Sequence, residues 1–158
     1  MATTNNLFPV FDVPSALAED VQQQQKFKPA PLWDVEKGDF TFNGARQPVY
    51  GGGYEAWALW CTKTILTQRW ACAGYSSNAG IEADEAFKEP DRKAIESAFE
   101  RTVSEALLAD PMGRTRTVRD FEFRWRGGGD GLDIICSVYG YDGQSERITA
   151  SIQGTARG

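Results

Sequence analysis

Apolar residues recur with two different periods along this chain, and the change of period separates a helical part from a β part. Between Tyr54 and Gln68, the residues Trp57, Ala58, Cys61, Ile65 and Gln68 fall at near-helical spacing. Leu59, Trp60 and Leu66 widen that stripe beyond one face, which predicts a largely buried helix of about four turns. A second helix is expected after Glu89-Pro90-Asp91, where proline and acids suit a first turn. Its stripe is Ile95, Ala98, Phe99, Thr102, Val103 and Ala106, with Lys93, Glu96, Glu100 and Arg101 elsewhere. Asp110-Pro111 ends it, because a residue before proline disfavours helix. From there the period falls to two. Phe121, Phe123 and Trp125 alternate with Asp120, Glu122, Arg124 and Arg126; Leu132, Ile134, Cys136 and Val138 form a second run, and Ile148, Ala150 and Ile152 a third. Glycine-rich residues 127–131 and the segment Tyr141-Asp142-Gly143-Gln144 supply the turns between them.

The connecting segments carry their own signals. Residues 1–31, with scattered prolines and Gln22 to Gln25, lack the apolar content of a core and are expected to form an extended arm, leaving 32–158 as one domain. Inside the arm lies an apolar patch, Leu7-Phe8-Pro9-Val10-Phe11-Asp12-Val13-Pro14. Two destinations suit it: it tucks against its own domain, or it docks along a partner with Phe8, Pro9 and Phe11 as anchors. Trp33-Asp34-Val35 and Phe40-Thr41-Phe42 flank a tight hairpin with Gly38 at the position needing positive φ. Gly51-Gly52-Gly53 is expected to be a flexible connector to the first helix. Trp70 to Tyr75 is expected to be extended, a loop follows to Gly80, and Ile81 to Phe87 suits a short helix.

Together these elements predict an α+β fold: two main helices packed on one face of an antiparallel β-meander, preceded by an N-terminal hairpin and the extended N-terminal arm. Apolar residues at 41% are enough for a real core. The 22 acids against 17 bases argue against nonspecific nucleic-acid binding, which needs a basic face. No run reaches the roughly 18–20 apolar residues that span a bilayer, and the first residues do not have a signal-peptide pattern. Cys61, Cys72 and Cys136 lie far apart, so reduced thiols and cytosolic synthesis are expected.

Histidine is absent, which removes the commonest general base, the commonest metal ligand and every Ser-His or Cys-His arrangement. No metal and no cofactor are expected. A glycosidase would need two carboxylates held across a cleft; Glu55 on the first helix and Asp133 on the central strand are available acids, and nothing in the sequence pairs Glu55 with a second. The charge is lopsided: Glu82 to Asp91 is acidic, whereas Arg114, Arg116, Arg119, Arg124 and Arg126 are interrupted only by Asp120 and Glu122. A solvated strand face explains that, and so does head-to-tail docking on an acidic partner.

An ordered series of motifs adds to this. The segment FPVFDVP, a W-D-x-E-x-G-D-F hairpin, GGYEAW with LTQRW, YSSNAG, a helix ending ALLADP and strands with D-G turns together resemble the sheath-initiator, or lysozyme-like baseplate wedge, family of contractile tails. The likeness runs over about residues 7–153, and it is nearest to the phage and prophage, myophage-type branch. It implies a structural, non-enzymatic baseplate protein of a phage tail or phage-like injection particle, located in the virion and assembled in the host cytoplasm. Partners implied are wedge proteins, the sheath protein, and further tube or hub proteins, with about six copies closing around the tube. Sheath contact would be β-augmentation at an exposed edge, for which Arg147, Ile148, Thr149, Ala150, Ser151 and Ile152 are the candidate strand. The family's acid-Pro-Arg wedge motif is matched by Asp110 and Pro111, but Met112 stands where arginine is expected, and Arg114 is the nearest substitute. Asp110-Pro111 also reads as a plain helix terminator. The rival functions are a peptidoglycan hydrolase using Glu55 and a general peptide-binding adaptor.

Overall fold

The computed structural model of the chain describes residues 27–154. Ala30–Pro31 (β1) pairs with Tyr50–Gly51 (β4), and Trp33–Asp34 (β2) pairs with Asp39–Phe40 (β3), both antiparallel. Gly38 takes φ 67° in the β2–β3 turn, as the hairpin requires. Helix α1 spans Gly53–Leu66, the single-turn α2 spans Ala83–Ala86, and α3 spans Arg92–Leu108. Thr115–Arg126 (β5), Gly131–Gly140 (β6) and Ser145–Gln153 (β7) then form a three-stranded antiparallel sheet in the order β5-β6-β7. This is the expected α+β arrangement. Among the described residues no helix is long and apolar enough to cross a membrane.

The period-2 run of β6 sends Leu132, Ile134, Cys136 and Val138 to one face, where all four are fully buried. Ile148 and Ala150 extend that face across β7. Onto it α1 lays Trp57, Cys61 and Ile65, and α3 lays Phe99, Val103, Ala106 and Leu107. Fully burying a side chain such as Phe99 contributes about 1.5–3 kcal/mol, so this shared cluster dominates the stability. Asp91 caps α3, accepting a hydrogen bond from the Ala94 amide at 2.9 Å, so the helix proper begins one residue after the expected start motif.

Three local expectations change. The triple glycine is not a loose connector. Gly51 pairs with Ala30 in the β1–β4 ladder, and Gly53 opens α1 with its Cα against the backbone of Phe27; a Cβ there would collide with the Phe27 carbonyl oxygen. These glycines are close-approach sites. Phe27 itself packs edge-on against Trp57, with ring centroids 6.1 Å apart.

Residues 70–75 are turns rather than an extended segment. Small and polar residues with no strand beside them have no ladder to join, so the chain loops out and returns. Its base is pinned, with the Arg69 amide donating to Ile81 O at 2.8 Å and the Arg69 guanidinium donating to Gly80 O and Glu82. Trp70 at the loop's start has φ 62° and is 67% exposed.

The third change is in β5. Its register against β6 shifts twice, the second time between Arg119 and Glu122, where Asp120 takes φ 56°. That bulge resets the side-chain phase, so Val118 before it and Phe121, Phe123 and Trp125 after it all pack against the core.

Candidate functional site

The sheet has two outer strands, and they differ. β5 is bulged, a feature that blunts an edge against pairing. β7 keeps an unbroken register with β6 over its whole length. Its hydrogen-bonding phase follows from the two ends: the Gly140 amide donates to Gln144 O, and the Gly154 amide donates to Asp130 O. Pairing alternates along an antiparallel ladder, so the even-numbered residues of β7 bond to β6. The odd-numbered residues Arg147, Thr149, Ser151 and Gln153 therefore turn their N–H and C=O groups toward the open side. Ser145, the first of that series, already has an outward carbonyl satisfied: the Tyr54 hydroxyl lies 2.6 Å from it and 2.7 Å from Glu146 Oε2, its proton shared between the two. Burial and the Glu146 charge push the Tyr54 pKa up to about 12.

Side chains follow the same parity. Ile148 and Ala150 are buried and Ile152 half-buried in the core, while Arg147, Thr149 and Ser151 are exposed on the outer face. On that face Arg147 pairs with Glu122, which also binds Arg124, and Arg126 pairs with Asp133 at 2.9 Å. The Arg147 hydrogen bond, first, and its charge hold the Glu122 carboxyl below the usual range. A cavity of about 260 Å³ lies beside the end of β7, lined in part by Leu66, Ile81, Asp84 and Ile152. The six candidate edge residues thus sit on one regular strand with an alternating polar and apolar flank.

Asp110 and Arg114 come together, but inward. Asp110 Oδ2 accepts from Arg114 Nε at 2.8 Å and Oδ1 from Nη2 at 3.0 Å, a two-pronged contact. The same carboxylate accepts the Met112 amide at 3.1 Å and the Arg114 amide at 2.9 Å. Both residues are buried, and the guanidinium lies 5.3 Å from the Trp60 ring centroid. Pro111, Met112 and Gly113 are left as an exposed loop wrapped around this ion pair. The basic run seen in sequence is accordingly much less bare than it looks: Arg114, Arg124 and Arg126 each have an acid, and the exposed Arg116 and Arg119 have none among the described residues. Sequence spacing held a signal for the buried pair, since an acid and an arginine four residues apart across Pro-Met-Gly suit a turn closed by an Asx bond.

Phe8, Pro9 and Phe11 lie outside the described residues. Glu55 is exposed on the first turn of α1. A groove of about 330 Å³ runs along the outward side of α1, and no carboxylate lines it. Cys61 and Cys136 are buried thiols whose pKa values burial pushes up to about 12 and about 11, which makes them poor nucleophiles; Cys72 is exposed. No group of three or more carboxylate or thiol ligands is gathered for a metal among the described residues.

Compared with known proteins, residues 31–143 match the family model described as contractile injection system sheath initiator. A search of curated proteins finds no match.

Proposed function

The chain belongs to the contractile injection system sheath initiator family, a structural component of those particles, and from that premise we propose that it links baseplate wedge proteins to the first ring of sheath subunits by taking an added strand along β7. The observation that carries this reading is the parity of β7. Its outward N–H and C=O groups at Arg147, Thr149 and Ser151 form a ready template, and backbone pairing there costs the domain none of its own hydrogen bonds. An incoming strand would place alternate side chains over the cavity near Leu66 and Ile81 and over the Arg147–Glu122 pair. Apolar anchors on one side and polar partners on the other would set its register.

For the wedge contact we assign the Pro111-Met112-Gly113 loop. Asp110 and Arg114 act from beneath, fixing the loop's shape through four hydrogen bonds. Met112, where the family motif expects arginine, then offers an apolar contact in place of a charge. About six copies would close into a ring by repeating one head-to-tail contact around the tube.

Proline substitution separates this reading from a merely structural β7. Thr149→Pro removes an outward N–H and leaves the β6 ladder intact, as edge strands tolerate. Ala150→Pro removes a bonded N–H from the buried phase. We expect Thr149→Pro to fold yet abolish sheath nucleation on baseplates, and Ala150→Pro to unfold. Normal sheath rings on Thr149→Pro baseplates would overturn the β7 assignment.

A further inference from the structure

We propose that the apolar groove along α1 is the docking site for the chain's own segment Leu7–Pro14. The groove of about 330 Å³ runs between β1 on one wall and the 69–80 loop on the other. Trp33, Trp60 and Tyr75 make it aromatic-lined, Leu59 lies in its floor, and Lys63 is its one charged lining residue. The Lys63 ammonium sits 4.4 Å from the Trp33 ring centroid, at the groove's side. Aromatic-lined grooves of this kind take extended, proline-held segments, because such a segment loses little conformational entropy on binding.

The occupant is argued from the rest of the chain. Leu7-Phe8-Pro9-Val10-Phe11-Asp12-Val13-Pro14 is apolar, contains two prolines, and has a single charge, Asp12, opposite in sign to Lys63. The largely polar residues 15–26, with Gln22 to Gln25, separate it from Phe27. Phe27 is packed at the start of α1, against Gly53 and Trp57, and Ala30 and Pro31 just after it already line the groove. The arm therefore joins the domain at the groove's own end. The thirteen steps from Pro14 to Phe27 span up to about 45 Å, roughly twice the length of α1, so the segment reaches every part of the groove. Tethering at that distance gives an effective concentration in the millimolar range, which makes even a weak contact persist. Phe8 and Phe11, three residues apart, fill the space beside Leu59 and between Trp60 and Tyr75, and Asp12 meets Lys63.

The test uses the full chain with Phe11 replaced by the photo-reactive benzoylphenylalanine, irradiated at dilute concentration and mapped by mass spectrometry. Crosslinks within the monomer to residues 59–63 or 75–80 are expected. Leu59→Gln should cut their yield roughly tenfold, the factor given by about 1.4 kcal/mol of lost contact. Phe8→Ser, which alters none of the described residues, should produce the same loss with the melting temperature unchanged. Crosslinks to a second copy, crosslinks to another surface of the same chain, or an absence of crosslinks within the protein would each overturn the proposal. None of these outcomes depends on β7, so the sheath reading stands or falls separately.

Discussion

Removing the Asp110 carboxylate should damage the fold before it damages any contact. In Asp110→Ala the Arg114 guanidinium stays buried beside Trp60 without its partner, and the amides of Met112 and Arg114 lose their acceptor. Breaking a buried ion pair by deleting one member costs about 3–5 kcal/mol. For a chain of this size each kcal/mol moves the melting temperature by about 2–4 °C, so a fall of about 10 °C is expected. Calorimetry on the wild type, Asp110→Ala, Arg114→Met and the double variant forms a complete cycle. Arg114→Met should be milder, because the carboxylate keeps its two backbone donors, and the double variant should lose less than the sum of the singles. A fall of under about 3 °C for Asp110→Ala, or strict additivity, would mean that the pair is solvent-screened and does not hold the loop. Met112→Ser supplies the contrast: Met112 is exposed, so its melting point should hold while wedge binding weakens.

Other outcomes follow from the same geometry. Gly53→Ala, which by helix propensity alone would stabilise α1 by about 1 kcal/mol, should instead lower the melting temperature because its Cβ meets the Phe27 carbonyl, whereas Gly52→Ala at the N-cap has open space and should cost only the smaller capping preference of glycine over alanine. Alkylation of the native chain at pH 9 should modify Cys72 alone, and all three cysteines only after denaturation. The raised folded-state values of Cys61 and Cys136 also fix a sign: the neutral thiols contribute stability fully below their ordinary 9.0, and it is lost as pH rises toward about 11 and 12, so the melting point should fall above pH 9. The protein should not clear a suspension of bacterial cell walls; clearing that disappears in Glu55→Gln would revive the hydrolase alternative.

The large elements were legible because their periods differ. Phe99, Val103 and Ala106 repeat at helical spacing and Ile134, Cys136 and Val138 at strand spacing, and each stripe ended against the same core. What escaped was set by contacts between distant residues. Nothing local in Gly53 announces that the Phe27 backbone will lie against it, and a run of glycines reads as slack until that neighbour is in place. The bulge at Asp120 was hidden because the alternation of Phe121, Phe123 and Trp125 is regular by itself; only Val118, also facing the core, betrays the phase change. Trp70 to Tyr75 suggested an extended segment, but without a partner strand Trp70 and Tyr75 stand exposed on a loop. For the candidate site, the strand and its six residues were readable from alternation. Which outer strand is regular was not, since a register shift depends on the partner strand. Asp110 and Arg114 were picked through the family's wedge motif, and that motif does not announce their burial, which two charges reach when they satisfy each other.

Residue-resolved amide hydrogen exchange across β7 tests the central claim most directly. In the free chain the amides of Ile148, Ala150 and Ile152 should be protected and those of Arg147, Thr149 and Ser151 should exchange fast. On adding the particle's sheath protein the second set should become protected while the first changes little. Odd-numbered amides that remain fast in the sheath-bound state, or that are already slow in the free chain, would contradict strand addition at this edge.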